Sequence, residues 1–263
     1  LQRSDQVNPK LNAIIIPMHE YAKNRAKQQL TGAFAGVPFL VKDLFQEYAG
    51  IPTSYGCNAL KSRQYTPETN AEIVNRWEKA GIITFGRTNT PEFGIKGITE
   101  PDAWGSCSNP WHLKHNSGGS SGGSASAVAA GIVPIAGAGD GGGSIRIPAS
   151  YCGLFGLKPS RGRTPWGPQM SEGMHGAVIQ HVLTKSVRDS AAMLDATHGF
   201  ENSSLFKIEK PERPFLENLI RPPQQLKIAF NTQSPIGTKI SKDAVAAVKH
   251  TACLLYTSPS PRD

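Results

Sequence analysis

Twelve glycines fall between Gly118 and Gly156, out of 27 in the whole chain. Glycine alone lacks a Cβ, so a local excess marks a place where backbone bends or closely approaches something. The spacing is not the every-third repeat of a collagen. Valines, isoleucines and leucines interleave with the glycines, which excludes a flexible linker. Two clusters dominate the stretch. Gly118-Gly-Ser-Ser-Gly-Gly-Ser124 runs into an Ala-rich segment, and Asp140-Gly-Gly-Gly-Ser-Ile-Arg146 follows, with Ser144 placed 24 residues after Ser120.

Three successive glycines at 141–143 let neighbouring backbone N–H groups turn toward one point, which is what stabilising an oxyanion requires. Ser144 follows directly. A serine hydroxyl is a weak nucleophile until a base takes its proton. Histidine is the usual base, and the chain has seven. His112 and His115 lie just ahead of the first glycine cluster, while His19, His175, His181, His198 and His250 have no motif around them. Ser144 is not at the centre of a GxSxG elbow. Lys42 ends an apolar strand where its side chain faces a crevice, and a lysine serves as base only if burial keeps it neutral. Ser120 would then relay a proton between lysine and nucleophile. From the residues alone the base stays open between histidine and lysine. The glycine-serine loop itself also reads as a turn or an anion-binding helix start. No phosphate cradle of the GxxxxGK[ST] kind is present.

Along the chain, strand and helix patterns alternate. Gly36–Val41, Gly81–Phe85, Ile132–Ala136 and Leu226–Phe230 read as strands. His19–Gln29, Glu72–Lys79, Ser124–Ala130, Thr184–Thr197 and Ser241–Ala252 read as helices. Strands apolar on both faces, alternating with helices, predict an α/β layered sheet. Residues 201–224 carry four prolines and form an excursion.

The net charge of +8 comes without a run of five Lys/Arg or a basic stripe interleaved with aromatics, so it reads as a basic surface and not a nucleic-acid site. No apolar run approaches the roughly 20 residues of a membrane-spanning helix. Cys57, Cys107, Cys152 and Cys253 show neither CxxC spacing nor zinc-type pairing with histidine. Reduced thiols, no metal, no cofactor and a cytoplasmic location are the expectation. Cys253 to Asp263 breaks the preceding helical pattern and resembles a translated sequencing adapter. On that reading residues 1–252 are the N-terminal portion of a single domain truncated at its C-terminal side, and 253–263 are an artefact.

The two glycine clusters together resemble the amidase signature family, and further stretches extend the likeness over nearly the whole of residues 1–252. These are Asn8–Ala13, Gly36-Val-Pro-Phe-Leu-Val-Lys-Asp43, Gly86-Arg-Thr-Asn-Thr-Pro-Glu-Phe-Gly94, Asn109-Pro-Trp111, Ile145–Gly162 and Thr184–Asp189. The resemblance implies a mixed central sheet flanked by helices on both faces. It also implies amide C–N hydrolysis through an acyl-enzyme: Ser144 as nucleophile, Ser120 as a cis-peptide serine shuttling the proton, and Lys42 as neutral base. Gly141, Gly142, Gly143 and the Ser144 amide would form the oxyanion hole, with Ser121, Asp140 and Arg146 as supports. Gly139 stands where the family often has threonine, which would soften that support. Thr99–Gly105 and Ile145–Ser150 are similar to stand-alone hydrolases of cyclic and other amides. Catalytic subunits of glutamyl-tRNA amidotransferases, the alternative, usually have glutamine where Ile147 stands. Phe93 and Ile95 are candidates for an apolar acyl pocket. The expected partner is a small-molecule amide, with no nucleic acid and no membrane, and a homodimer is the assembly considered. Residues 1–252 alone are expected to be poorly soluble and inactive.

Overall fold

A computed structural model describes residues 1–221 and 226–257. The chain divides into two units, Leu1–Leu219 and Ile220–Asp263. The first opens with α1 (Gln2–Leu11), β1 (Ile14–Pro17), α2 (His19–Ala26) and β2 (Pro38–Lys42). α3 (Asn58–Ser62), α4 (Glu72–Lys79) and β3 (Ile83–Thr88) follow, then a hairpin of β4 (Ser108–Asn109) and β5 (His112–Asn116). The glycine-rich stretch builds α5 (Gly122–Ala129), β6 (Ile135–Asp140), α6 (Arg146–Cys152) and β7 (Phe155–Gly156). β8 (Ile179–Thr184), α7 (Val187–Thr197) and α8 (Phe215–Asn218) complete the unit.

Among the described residues the main sheet has six strands in the order β1-β3-β2-β6-β8-β7. β2 runs parallel to both β3 and β6, and the other pairings are antiparallel, so the sheet is mixed. Alternation along each strand sends neighbours to opposite faces. Phe39, Val41, Ile135 and Val182 pack against Ile73, Val74 and Trp77 of α4 and Met193 of α7. Leu40 and Ala136 meet Leu11 of α1 and Ala127 and Val128 of α5. Ala138, Ile179 and Leu183 meet Ala125 of α5 and Ala149 and Cys152 of α6. Helices therefore cover both faces, as the sequence pattern predicts. Trp77 is wholly buried with its ring 5.0 Å from that of Phe39; truncating such a residue costs about 3–5 kcal/mol.

Several boundaries differ from the sequence reading, three of them for a physical reason in the local residues. β6 runs from Ile135 to Asp140, not Ile132 to Ala136, because Pro134 has no N–H for the ladder and Gly137 and Gly139 continue the strand. β3 begins at Ile83, since Gly81 has φ +95° and closes the preceding helix. α7 begins only after Ser186, whose hydroxyl accepts the Asp189 N–H at 3.1 Å, and Ile179–Thr184 before it is a strand.

In the second unit Leu226–Phe230 forms no strand among the described residues, because its backbone has no neighbour to pair with. α9 (Lys242–Thr257) runs past Ala252 through Cys253 without a break. Residues 258–263 of the expected adapter segment lie outside the described residues.

Candidate active site

β2 and β6 are parallel neighbours that part toward their carboxyl ends, and the crevice beyond the carboxyl ends of parallel strands is where such sheets hold ligands. Lys42 is the last residue of β2 and is 2% exposed. Its Nζ lies 2.6 Å from Ser120 Oγ. Burial pushes the lysine down to about 7, against the opposing pull of the Asp140 carboxylate. Desolvation disfavours the ammonium and leaves the free amine accessible near neutrality.

Ser120 belongs to the loop entering α5. Thr90 Oγ1 donates to its carbonyl at 2.9 Å, Thr99 Oγ1 donates to the Gly118 carbonyl at 2.8 Å, and the Gly119–Ser120 peptide bond is cis. Ser121 Oγ lies 3.3 Å from both the carbonyl oxygen and the amide nitrogen of Gly139, and fastens the loop to β6. The Ser121 N–H also donates to the Ser144 carbonyl at 3.2 Å, tying the two serine loops together.

Asp140 organises the second loop. Its Oδ1 accepts from Gly143 N–H at 2.8 Å and Arg146 Nη2 at 3.0 Å. Its Oδ2 accepts from the Ile145 and Arg146 amides and from Arg146 Nε at 3.0 Å. Burial works to raise this carboxyl, but the Arg146 side chain and the backbone amides outweigh it and hold it below its ordinary value. Gly143 has φ +121°, and a Cβ there would come within 2.8 Å of Ile147 Cδ1. Its amide is committed to Asp140. The amides of Gly141, Gly142 and Ser144 have no protein acceptor among the described residues.

Lys42, Ser120, Asp140, Gly141, Gly142 and Ser144 line one cavity of about 90 Å³, with apolar walls from Leu44, Phe45, Phe93, Met174 and Val178. Ile95 is 73% exposed and is not among these residues, so of the two acyl-pocket candidates only Phe93 faces the cavity. No histidine lines it: His181 is buried in β8 against Ser190, pushed down to about 3 by burial, and His112 and His115 sit on the exposed β5. Of the two bases left open by the residues alone, it is Lys42 that lines this cavity. Among the described residues no cluster of three His, Cys, Asp or Glu side chains is placed to hold a metal ion, and no helix is long and apolar enough to cross a membrane.

Sequence reasoning missed the polar groups behind Lys42. Asp43 is buried and accepts from Thr53 Oγ1 at 2.6 Å and from the Ser54 amide and hydroxyl, with Arg87 Nε 3.9 Å away. Arg87 Nη1 donates to the Gln46 carbonyl at 2.9 Å. Asp43 and Arg87 stood inside quoted motifs, but nothing in their spacing says that they meet. Gln46 and Gln180 had no signal at all.

A family model described as Amidase matches residues 1–258. The 6-aminohexanoate-cyclic-dimer hydrolase of Paenarthrobacter ureafaciens is 40% identical over 252 residues, which is 95% of this chain and 51% of that protein. A solved structure of 6-aminohexanoate cyclic dimer hydrolase with substrate superposes with TM-score 0.93 at 38% identity, over 97% of this chain and 53% of that one. A glutamyl-tRNA(Gln) amidotransferase subunit from Thermotoga maritima superposes with TM-score 0.70 at 30% identity, over 80% and 44%. The chain spans about half the length of the cyclic-dimer hydrolase it matches.

Proposed function

Since this chain belongs to the amidase family, we propose that the protein hydrolyses the C–N bond of a small carboxylic or cyclic amide through Ser144, Ser120 and Lys42. The observation that carries this reading is the buried 2.6 Å contact between Lys42 Nζ and Ser120 Oγ, in a cavity shared with Ser144. Neutral Lys42 accepts the Ser120 proton while Ser120 takes that of Ser144, whose Oγ attacks the carbonyl carbon. The C=O π-electrons move onto oxygen, which the amides of Gly141, Gly142 and Ser144 receive. Gly143 was expected among these donors, but its N–H serves Asp140 and so fixes the loop instead. The tetrahedral intermediate collapses, the C–N bond breaks, and the amine leaves with a proton from Ser120, which Lys42 replaces. Water then attacks the acyl ester with its proton passing by the same route, releasing the carboxylic acid and restoring Ser144. No metal or cofactor is required for either half.

Ser121, Asp140 and Arg146 support this chemistry by holding the two loops in register, and a small uncharged amide suits a cavity with mainly apolar walls. The likeness to a cyclic-dimer hydrolase over 95% of the chain favours a stand-alone hydrolase. An amidotransferase catalytic subunit is not favoured, since Ile147 stands in place of the glutamine usual there and the superposition is poorer. The test is Ser144→Ala, assayed by release of carboxylic acid from simple linear and cyclic amides. Hydrolysis should vanish; a variant retaining the parental rate removes Ser144 from the reaction.

A further inference from the structure

Two buried glutamines stand beside the cavity, and the chemistry above uses neither. Gln46 is wholly buried and Gln180 is 2% exposed. β2 pairs with β6 only at Phe39 and Leu40, so the strands have parted before Lys42 and its N–H finds no ladder partner on β6. Gln46 Oε1 accepts that N–H at 2.7 Å, and Gln46 Nε2 donates to Gln180 Oε1 at 2.9 Å. β6 makes room for the pair. A Cβ on Gly137 would lie 2.3 Å from Gln46 Oε1, and one on Gly139 would lie 3.1 Å from Gln180 Oε1.

The polarity of this relay is fixed from one end. A backbone N–H only donates, so Gln46 must meet Lys42 with its oxygen and offer its NH₂ to Gln180. Gln180 must answer with its own oxygen, and its NH₂ is left over. That NH₂ has no partner among the described residues, and Gln180 lines the same cavity as Lys42, Ser120 and Ser144. We infer that Gln180 is a substrate-binding donor, oriented by Gln46, for a carbonyl oxygen of the substrate other than the scissile one. The scissile oxygen already has the amides of Gly141, Gly142 and Ser144. A carboxylate acceptor would share the cavity with Asp140, so an uncharged carbonyl suits the position better. The substrate class this selects is an amide with a second carbonyl along its acyl or amine chain. The inference rests on the amide-hydrolysis reading above.

The test compares kcat/KM for diamides from butanediamide to octanediamide with that for the matching monoamides, by ammonia release. The unaltered protein should favour the diamide beyond the statistical factor of two at one chain length. Gln180→Glu is nearly isosteric and puts an acceptor where the donor was. Gln46→Glu acts from outside the cavity: it removes the Nε2 donor, so Gln180 turns its NH₂ inward and its oxygen toward substrate. Each variant should lower the diamide-to-monoamide ratio by about tenfold. A purely structural role would slow both amides equally. Monoamide turnover with an unmoved ratio in either variant, or no diamide preference at the outset, overturns the inference. Failure of the unaltered protein to hydrolyse any of these amides, or a cyclic diamide assayed beside them by amine release, overturns the hydrolase reading itself, and this one with it.

Discussion

Replacing Lys42 by methionine should make the protein more stable while it loses its activity. Burial moves the lysine from 10.5 to about 7. At about 1.4 kcal/mol per tenfold change in proton affinity, this costs the native state up to about 5 kcal/mol, the full amount where the lysine is charged in both states. Below about pH 7 the ammonium is charged in both states and the whole cost is present. Between pH 7 and 10.5 the unfolded chain keeps the proton that the native state has released, so stability climbs as pH rises. Above 10.5 both states are neutral and the cost is gone. Methionine has similar length and no charge to desolvate. Its introduction loses the Lys42–Ser120 hydrogen bond, worth about 1 kcal/mol. The net expectation at pH 6 is a gain of about 3–4 kcal/mol, shrinking toward zero at pH 10. Urea denaturation of parent and Lys42→Met at pH 6, 7, 8, 9 and 10 isolates the lysine, since every other titrating group is common to both. A variant no more stable than its parent at pH 6, or a difference independent of pH, refutes the claim that burial holds Lys42 neutral. Amide turnover should fall by about 10²–10⁴, the usual worth of a positioned general base.

The same displaced lysine sets a pH profile: kcat/KM should rise with pH through about 7 and then level, as the base is freed of its proton. A limb centred near 10, the ordinary lysine value, would mean that burial does not lower Lys42. Asp140→Asn should move that limb to lower pH, because the carboxylate is the group that pulls the lysine upward. It should also lower stability by about 3 kcal/mol, with charged anchors to three amides removed. An unmoved limb together with an unchanged denaturation midpoint would show that Asp140 neither senses Lys42 nor anchors the loop.

Much of the sheet was legible because its strands are short apolar runs bounded by turn residues. β2 and β3 could be read in this way to within a few residues. β6 was not, because Gly137 and Gly139 look like loop chemistry. They are strand residues whose missing side chains admit Gln46, Trp77 and Gln180. β8 was lost for a different reason: Gln180 and His181 interrupt its apolar pattern, although both are buried. The Leu226–Phe230 alternation did look like a strand, but period two is only a capacity for pairing, and no partner meets it among the described residues. At the site, the residues that could be read were those in short-range clusters. The contacts made by Arg87 with the Gln46 carbonyl and by Gln46 with Gln180 span 41 and 134 residues, and no local pattern encodes them.

One conflict in the site is resolved by geometry. The carboxylate of Asp140 anchors the loop after β6, yet the same charge favours the protonated form of Lys42 and so opposes the free amine. Moving the carboxylate away would release the lysine but also the Gly143, Ile145 and Arg146 amides. The structure keeps the carboxylate and surrounds it with donors: three backbone amides and two nitrogens of Arg146 share its two oxygens. Arg146 brings a compensating positive charge, so the pair presents Lys42 with a field closer to a dipole's than to a lone anion's. That field falls off faster with distance, which leaves burial as the larger influence on Lys42. Arg146 is half exposed, and as a surface ion pair it would be worth little to stability. Its value lies in letting one carboxylate hold three amides without fully recharging the lysine beside them.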